Sequence, residues 1–267
     1  MKILYIAELV GKAGIYALKT ALPALKNRVK PDITIVCADG ATNGRGLGRQ
    51  HAAYIRKLGA NAITTGDCCF YKKDLVEHME KIPYVLRPWN LDTNSPGRGS
   101  QVFFGASEEK TPVAVAVLLG RNGNGRLQGS SPLGALEELV VSLRKETPFV
   151  VIDFHAWATG EKRSIFAAAA GRCTAVIGSH NRVQSADEGI MRGTAVICEA
   201  GRSGSAESVG GCEIQSRIKE YLTGIPNWTR EAWDKIQLQG VIIEADKNGN
   251  AQSIERFYES VNSPAGS

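Results

Sequence analysis

The first 85 residues alternate short apolar runs with amphipathic stretches, a pattern typical of a chain that alternates strands and helices. The stretch 11–29 places four apolar residues at spacings of three and four, which predicts a helix with one buried face. Units of this kind usually pair their strands in parallel, so the pattern predicts an α/β fold. The predicted strands are residues 2–8, 33–38 and 61–65, and the predicted helices are residues 11–29, 49–58 and 72–80.

The middle of the chain changes character, because two long loops rich in Gly, Asn and Pro interrupt the alternation at 86–100 and 121–132. Loops of this length inside a compact domain are usually functional. We expect one domain over residues 1–260 and a flexible tail at 261–267, since no composition shift or internal repeat divides the chain. The later predicted elements are an antiparallel pair of strands at 101–105 and 112–119, strands 149–154, 173–178 and 194–198, helices 134–145, 161–169 and 211–222, and a hairpin that turns at 247–249.

Composition narrows the class of protein without identifying its chemistry. The 267 residues carry a net charge of +5 and no long basic run, which suits an anionic substrate such as a phosphate ester better than a wrapped nucleic acid. No apolar stretch reaches the ~18 residues of a membrane span, and the chain opens on a strand without a signal peptide. The six cysteines are scattered, as reduced thiols are. We therefore expect a cytoplasmic protein.

Candidate chemistry is concentrated at the ends of apolar runs. In α/β sheets, ligands and metals bind beyond the C-terminal ends of the strands. Each histidine alone could be a buried strand-end residue with satisfied hydrogen bonds, but the joint occurrence of imidazoles and carboxylates favours a divalent metal site. This ligand type does not separate Mn, Fe and Zn. The five strand-end residues are Glu8, Asp39, Asp67, His155 and His180.

Other motifs fit their known chemistry less well. The glycine-rich run 44–48 lacks the third glycine and the later acidic residue of a dinucleotide-binding loop. The run 201–205 lacks the last glycine of a nucleophile elbow, which disfavours a serine hydrolase. Adjacent Cys68 and Cys69 are spaced too closely for a structural zinc site. Cys68 alone remains open as a metal ligand or a reactive thiol.

Several segments together resemble the YmdB-like family of calcineurin-type metallophosphoesterases over nearly the whole chain. They are LVGKAG (9–14), GANAITTGD (59–67), LRPWN (86–90), SPGRG (95–99), VIDFHAWATGEK (151–162), AVIGSHNRVQSADEGI (175–190) and LQGVIIEAD (238–246). The resemblance implies a four-layer αββα sandwich with a two-metal site. It also implies phosphodiesters, with cyclic nucleotides or RNA ends as the substrate class, and self-association.

The chain departs from the family at several site positions. Glu8 stands where the family has an aspartate, and Asp39 with Gly40 stand for its Glu-Asn pair. Asp67 and Cys68 stand for an Asn-His pair whose histidine is the catalytic acid. The last histidine of the closing Gly-x-His-x-His motif is Arg182. The chain is therefore predicted to be a divergent member with a degenerate metal site.

These departures predict one metal ion instead of two. Asp39, Asp67, His155 and His180 can all coordinate one divalent ion, with Glu8 at the edge of the site. The second position is predicted to be lost, because arginine has no free lone pair to offer a metal. Its guanidinium could replace the charge of the missing ion by bridging Glu8 and Asp39, or it could grip a phosphate.

Two classes of function stay open on these residues. In the first, the protein hydrolyses phosphodiesters, with Cys68 and Arg182 in the catalytic site and Gly40, Asn43 and Arg182 contacting the substrate. In the second, it is a pseudoenzyme that binds a nucleotide or serves as a scaffold. Replacing a proton-donating histidine by Cys68 removes a contribution typically worth ~10²–10⁴ in rate, which favours the second reading.

Overall fold

The computed structural model of the protein describes residues 1–105, 110–122, 127–226 and 230–263. Their helices and strands alternate in the first third of the chain, as the apolar pattern predicts. The helices are α1 (Gly11–Val29), α2 (Arg49–Lys57), α3 (Lys73–Val76), α4 (Pro132–Glu146), α5 (Thr159–Ala169) and α6 (Ile214–Thr223). The strands are β1 (Lys2–Ile6), β2 (Glu8–Leu9), β3 (Ile33–Cys37), β4 (Ala62–Thr64), β5 (Val85–Leu86), β6 (Ser100–Phe104), β7 (Pro112–Leu119), β8 (Val150–His155), β9 (Ala175–Ser179), β10 (Gly189–Met191), β11 (Thr194–Ile197), β12 (Arg202–Ser205), β13 (Ile236–Ala245) and β14 (Ala251–Val261).

The strands form two sheets. The eight-stranded sheet has the order β2-β12-β13-β1-β3-β4-β5, with β14 paired to β13, and the six-stranded sheet has the order β10-β11-β9-β8-β7-β6. Within the first sheet β1, β3, β4 and β5 run parallel, and within the second β7, β8, β9 and β11 do. Parallel strands end at a common edge, so each sheet presents several strand ends together.

Three apolar layers hold the two sheets and their helices together. The outer face of the first sheet packs against α1, α2 and α3, and the outer face of the second packs against α4 and α5. Between the sheets, alternate residues of β7 such as Val113, Val115 and Val117 face the first sheet. The predicted four-layer αββα sandwich is confirmed.

Two predicted helices differ from those observed. The predicted helix 72–80 is the short α3 followed by a 3-10 turn at Met79–Lys81, because Pro83 restricts the residue before it to an extended conformation. The predicted helix 211–222 begins only at Ile214, since Gly210 and Gly211 take positive φ angles that a helix excludes. The antiparallel pair β6–β7 and the hairpin β13–β14 are confirmed.

Three short strands were not predicted, namely β5, β10 and β12, because two to four residues give too little periodicity to detect. The proposed tail 261–267 begins at Val261, the last residue of β14, and residues 264–267 lie outside the described residues. The domain division stays a prediction. None of the helices in the described part of the chain has the length and apolar character needed to cross a bilayer.

Candidate metal and substrate site

The predicted site residues meet where the parallel strand ends of the two sheets face each other. Glu8 lies in β2, and Asp39 and Asp67 follow β3 and β4 of the first sheet. His155 is the last residue of β8, and His180 follows β9 in the second sheet. The site is therefore assembled from both sheets.

Three of these side chains converge with the geometry of a metal site. The Nε2 atom of His155 lies 2.9 Å from Oδ1 of Asp67 and 3.0 Å from Nδ1 of His180. The Nδ1 atom of His180 lies 3.5 Å from the same Asp67 oxygen. Donor atoms about 2.1 Å from one ion lie roughly 3.0–3.5 Å apart, so one ion fits among them. We call Asp67, His155 and His180 the ligand cluster.

Asp39 lies beside the ligand cluster and is fully buried. Its carboxylate accepts hydrogen bonds from the backbone N–H groups of Gly66 (2.5 Å) and Cys68 (3.1 Å), and its Oδ2 lies 3.7 Å from Nε2 of His155. Burial raises the pKa of Asp39 to about 7, although His155 opposes the shift. This carboxylate can therefore add a fourth oxygen donor to the cluster.

The two acidic groups of the cluster differ in their protonation. Burial opposes ionisation of Asp67, but hydrogen bonds from His155 and His180 hold its pKa below the usual range. Burial would lower the pKa of His155, but the hydrogen bond with Asp67 and the charge of Asp39 raise it to about 9. The cluster thus combines a charged carboxylate with an imidazole that attracts positive charge, as a cation site does.

Arg182 occupies the other side of the site and pairs with Glu8. Its Nη2 and Nε atoms lie 2.7 and 3.0 Å from Oε1 of Glu8. The guanidinium also donates to the backbone carbonyls of Gly44 (2.8 Å) and Gly210 (3.1 Å). Among the described residues it makes no hydrogen bond to Asp39, so the predicted bridge reaches only Glu8. Because an arginine has five N–H groups and four are used, one on Nη1 is left.

Glu8, Gly40 and Arg182, which we call the arginine half of the site, fit each other closely. A Cβ atom at position 40 would lie 2.6 Å from Nη2 of Arg182 and 2.7 Å from Oε1 of Glu8. Only glycine leaves room for the ion pair. The second oxygen of Glu8 is buried without a hydrogen-bond partner among the described residues. A second metal ion does not fit here, since the guanidinium fills the space and brings its own positive charge.

Cys68 is buried next to the two carboxylates. Its sulfur lies within 4.8 Å of donor atoms of Asp39 and Asp67, which also lie within that distance of each other. Burial raises the pKa of the Cys68 thiol, and the charges of Asp39 and Asp67 raise it further. In this environment the sulfur is a neutral thiol. All six cysteines are free, as predicted.

The loop that carries His180 is held by a buried ion pair that the sequence analysis did not identify. Lys162 is completely buried, pairs with Glu199 and donates to the carbonyl of Ser179 (3.0 Å). Glu199 also accepts hydrogen bonds from the backbone and side chain of Asn181 (3.2 and 2.8 Å). The residues on both sides of His180 are therefore fixed. A lysine inside an apolar helix face is the signal that could have indicated this contact.

Backbone strain is concentrated in the same loop. His180 and Arg182 adopt φ angles of 109° and 58°, in a region that residues other than glycine rarely occupy. Strained residues persist where the surroundings fix them, and they cluster at functional sites. Both residues that the loop places in the site are thus held at an energetic cost.

Aromatic side chains border the site on two sides. A cavity of about 600 Å³ is lined by Asp67, Phe70, Tyr71 and Leu127. On the other side, the ring of Trp157 lies 5.5 Å from the ring of His180 and is 56% exposed. These surfaces could hold the ring of a bound molecule.

Asn43, a predicted substrate contact, is exposed in the loop after Asp39 and has a φ angle of 56°. Its neighbour Gly44 accepts a hydrogen bond from Arg182, so this loop borders the arginine half of the site. Gly40 lies against the ion pair itself and offers no side chain to a substrate.

The arrangement of two sheets between helices is that of the metallophosphoesterase-type proteins. A 5'-nucleotidase precursor from Thermus thermophilus shares the fold, with a TM-score of 0.54 over 97% of this chain and 54% of its own at 12% identity. A hypothetical protein from the same organism is similar throughout, with a TM-score of 0.87, 25% identity and coverage of 99% of this chain and 100% of its own. The fold thus defines the class.

Closer relatives define the family. A phosphatase from Mycoplasma pneumoniae has a TM-score of 0.89 and 31% identity, covering 99% of this chain and 95% of its own. A protein of Bacillus subtilis (strain 168) named 2',3'-cyclic-nucleotide 2'-phosphodiesterase is 34% identical over 259 residues, 96% of each chain. The family described as YmdB-like protein matches residues 4–257. The chain belongs to the YmdB-like family, as its motifs predict.

Proposed function

We propose that the protein is a phosphoesterase that acts on nucleotide-related phosphodiesters with one divalent metal ion, held by the ligand cluster and Asp39. The observation that carries this proposal is the convergence of the cluster's three donor atoms, which lie 2.9, 3.0 and 3.5 Å apart. When bound, the ion would act as a Lewis acid toward the phosphate. The names of the relatives from Bacillus subtilis and Mycoplasma pneumoniae support phosphoester chemistry.

In this proposal Arg182 supplies the positive charge of a second ion. Its contacts with Glu8 and two carbonyl oxygens fix the guanidinium, and the one remaining N–H group can reach a phosphate oxygen. That arrangement supports a fixed charge more than a two-pronged grip. Negative charge on the phosphate would be stabilised without any movement of the arginine.

The aromatic borders of the site support a nucleotide as the substrate. Trp157 and Tyr71 expose 56% and 52% of their surface on either side of the ligand cluster, where a base could stack. A cyclic nucleotide would place its phosphate at the cluster and its base on one of these rings. Self-association and a cytoplasmic location stay predictions from the sequence.

A second candidate, nucleotide binding without turnover, is favoured by Cys68. Burial and two neighbouring carboxylates raise the pKa of its thiol, so it is a weak proton donor in place of the family's catalytic histidine. Without that donor the leaving oxygen has to take its proton from solvent, which lowers the rate. The same pocket would then hold a nucleotide as a regulatory ligand.

The test compares hydrolysis of 2',3'- and 3',5'-cyclic nucleotides in the presence of Mn²⁺ by the wild type and by Cys68→His, Arg182→His and the double variant. If the wild type is inactive and its scaffold is intact, the double variant should gain turnover by orders of magnitude. If the wild type is active with Arg182 as its second cation, Arg182→His should lower the rate. Activity that persists in His155→Ala would place the chemistry elsewhere and contradict the proposal.

Calorimetry separates the second candidate from the first. Binding of a cyclic nucleotide to the wild type without hydrolysis, lost in Trp157→Ala, would support the binding function. Hydrolysis that depends on His155 would exclude it.

A further inference from the structure

A buried chain of hydrogen bonds lies on the opposite side of the His155 ring from the ligand cluster. The Nδ1 atom of His155 is 3.0 Å from the hydroxyl of Ser179, which is 2.6 Å from Oδ1 of Asp153. All three residues are buried, with exposures of 1–3%. Asp153 is not a candidate ligand, yet it is a carboxylate placed in the apolar layer between the sheets.

The local sequence and the strand register explain how the three residues meet. Asp153 and His155 are two residues apart in β8, so they share one face of that strand. Ser179 is paired with His155 in the neighbouring parallel strand β9. Two donors from the other sheet complete the surroundings of Asp153: the hydroxyls of Tyr5 (2.7 Å) and Thr64 (2.5 Å) both reach Oδ2.

Counting hydrogens along this chain gives its direction. A carboxylate only accepts, so the hydroxyl of Ser179 has to point its hydrogen at Asp153. A serine hydroxyl has one hydrogen and cannot also donate to His155. The contact at 3.0 Å therefore requires a hydrogen on Nδ1 of His155, which donates to the serine oxygen.

We propose that Asp153, acting through Ser179, is a positioning residue that keeps the proton of His155 on Nδ1. In the neutral ring, the lone pair then belongs to Nε2, the atom that faces Asp67 and His180. Metal-binding histidines generally donate their other N–H group to a carboxylate or carbonyl, which fixes the tautomer and orients the ring. Here a serine hydroxyl stands between the imidazole and the carboxylate.

The consequence for metal binding rests on the proposed function, whereas the tautomer is a property of the chain itself. The test therefore begins with the metal-free protein. Two-bond ¹H–¹⁵N correlation spectra of the His155 ring, recorded over a pH range that includes its neutral form, report which nitrogen carries the proton. We expect Nδ1 to stay protonated throughout and only Nε2 to lose its hydrogen. A neutral ring protonated on Nε2 in the wild type would overturn the inference.

Asp153→Asn is the sharpest variant, because it preserves the volume and reverses the chain. Its amide oxygen can still accept from Tyr5 and Thr64, so its NH₂ group faces Ser179 and donates to it. Ser179 then turns its hydrogen toward His155, and Nδ1 becomes the acceptor. We expect the neutral ring to change to the Nε2–H form, and Zn²⁺ affinity to fall by about 10–100-fold. An unchanged tautomer would overturn the inference.

Matched variants separate positioning from general damage. Ser179→Thr keeps the hydroxyl and should retain the tautomer, whereas Ser179→Ala should leave the two ring forms mixed and weaken Zn²⁺ binding. Thr64→Val removes a different donor to the same carboxylate and should leave the tautomer of His155 unchanged while lowering the melting temperature. Should Thr64→Val alter the ring as Asp153→Asn does, the serine contact is not what positions it.

The two proposals can fail separately. A wild type with the expected tautomer that binds no Zn²⁺ would contradict the proposed function and leave the inference standing. If Asp153→Asn does not fold, the comparison of Ser179→Ala with Ser179→Thr decides the question, and equal ring spectra in those two variants would overturn the inference.

Discussion

The two halves of the site meet the same need for positive charge in different ways. The ligand cluster gathers a carboxylate and two imidazoles whose donor atoms converge within 3.5 Å, the geometry that holds an exchangeable ion. The arginine half holds a guanidinium that is covalently part of the chain. Both halves connect the two sheets. The difference shows that a charge required at one position can be built from donors or supplied as a side chain.

Each solution requires specific neighbours. The ligand cluster needs a fixed imidazole, which the contacts of Ser179 and the clamp of Lys162 and Glu199 provide. The arginine half needs space, which the missing side chain of Gly40 provides. Substitutions on the two sides should therefore have different effects: loss of the ion on one side and loss of stability on the other.

The largest effect is expected from removing a ligand. His155→Ala should lower the affinity for Mn²⁺ and Zn²⁺ by more than the roughly 10–100-fold typical of an outer contact, because a donor itself is lost. Metal content after purification without chelator, measured by mass spectrometry, should fall from near one ion per chain to a trace. His78→Ala is the matched control, since His78 lies outside the cluster. Two firmly bound ions in the wild type would contradict the distinction between the halves.

The second effect is on stability and belongs to the arginine half. Arg182→Gln leaves the buried carboxylate of Glu8 without its partner, which should cost about 3 kcal/mol of unfolding free energy in urea denaturation. Arg172→Gln is the control, because Arg172 pairs with the exposed Glu137 and should cost less than about 1 kcal/mol.

The double variant Glu8→Gln, Arg182→Gln completes this cycle. It should recover a large part of the loss, because no buried charge is left unpaired. Equal costs for Arg182→Gln and for the exposed control would show that the pair is not a structural element.

A smaller effect tests whether Gly40 and Arg182 depend on each other. Gly40→Ala should destabilise the wild type by about 1–3 kcal/mol, since the added methyl group would lie 2.6 Å from the guanidinium. In the Arg182→Ala background the same change should cost much less, because the clash is gone. Strictly additive costs would mean that glycine is present for another reason.

The smallest effect concerns the aromatic border. Trp157→Ala should raise KM for a cyclic nucleotide by about fivefold or more and leave kcat unchanged, as expected for the loss of a stacked base worth about 1–3 kcal/mol. Trp157→Phe should retain most of the binding, and hydrolysis of an aliphatic phosphodiester should not respond. An equal rise of KM for the aliphatic ester would assign Trp157 a role other than base stacking.

The positions of the candidate residues could be predicted because they follow buried strands. His155 and His180 end apolar runs that sequence periodicity detects, and parallel pairing then places those ends together. The identity of Arg182 also predicted a changed second position, since an arginine cannot bind a metal. That it pairs with Glu8 but makes no hydrogen bond to Asp39 depended on side-chain packing between the sheets.

The residues that support the site could not be predicted in the same way. Lys162 and Glu199 are 37 positions apart, and Tyr5 and Asp153 are 148 apart, so nothing local in the sequence connects them. Asp153 lies inside an apolar run and was interpreted as part of a strand. Its spacing of two from His155 was the available signal, because residues at that spacing share a strand face.

The salt bridge between Glu8 and Arg182 has a consequence for how the protein meets its surroundings. A guanidinium is made with the chain, so no chelator can extract it and no competing ion can displace it. This link between the two sheets is complete as soon as the chain folds, whatever the supply of trace elements in the medium. Starvation for a transition metal would leave it in place.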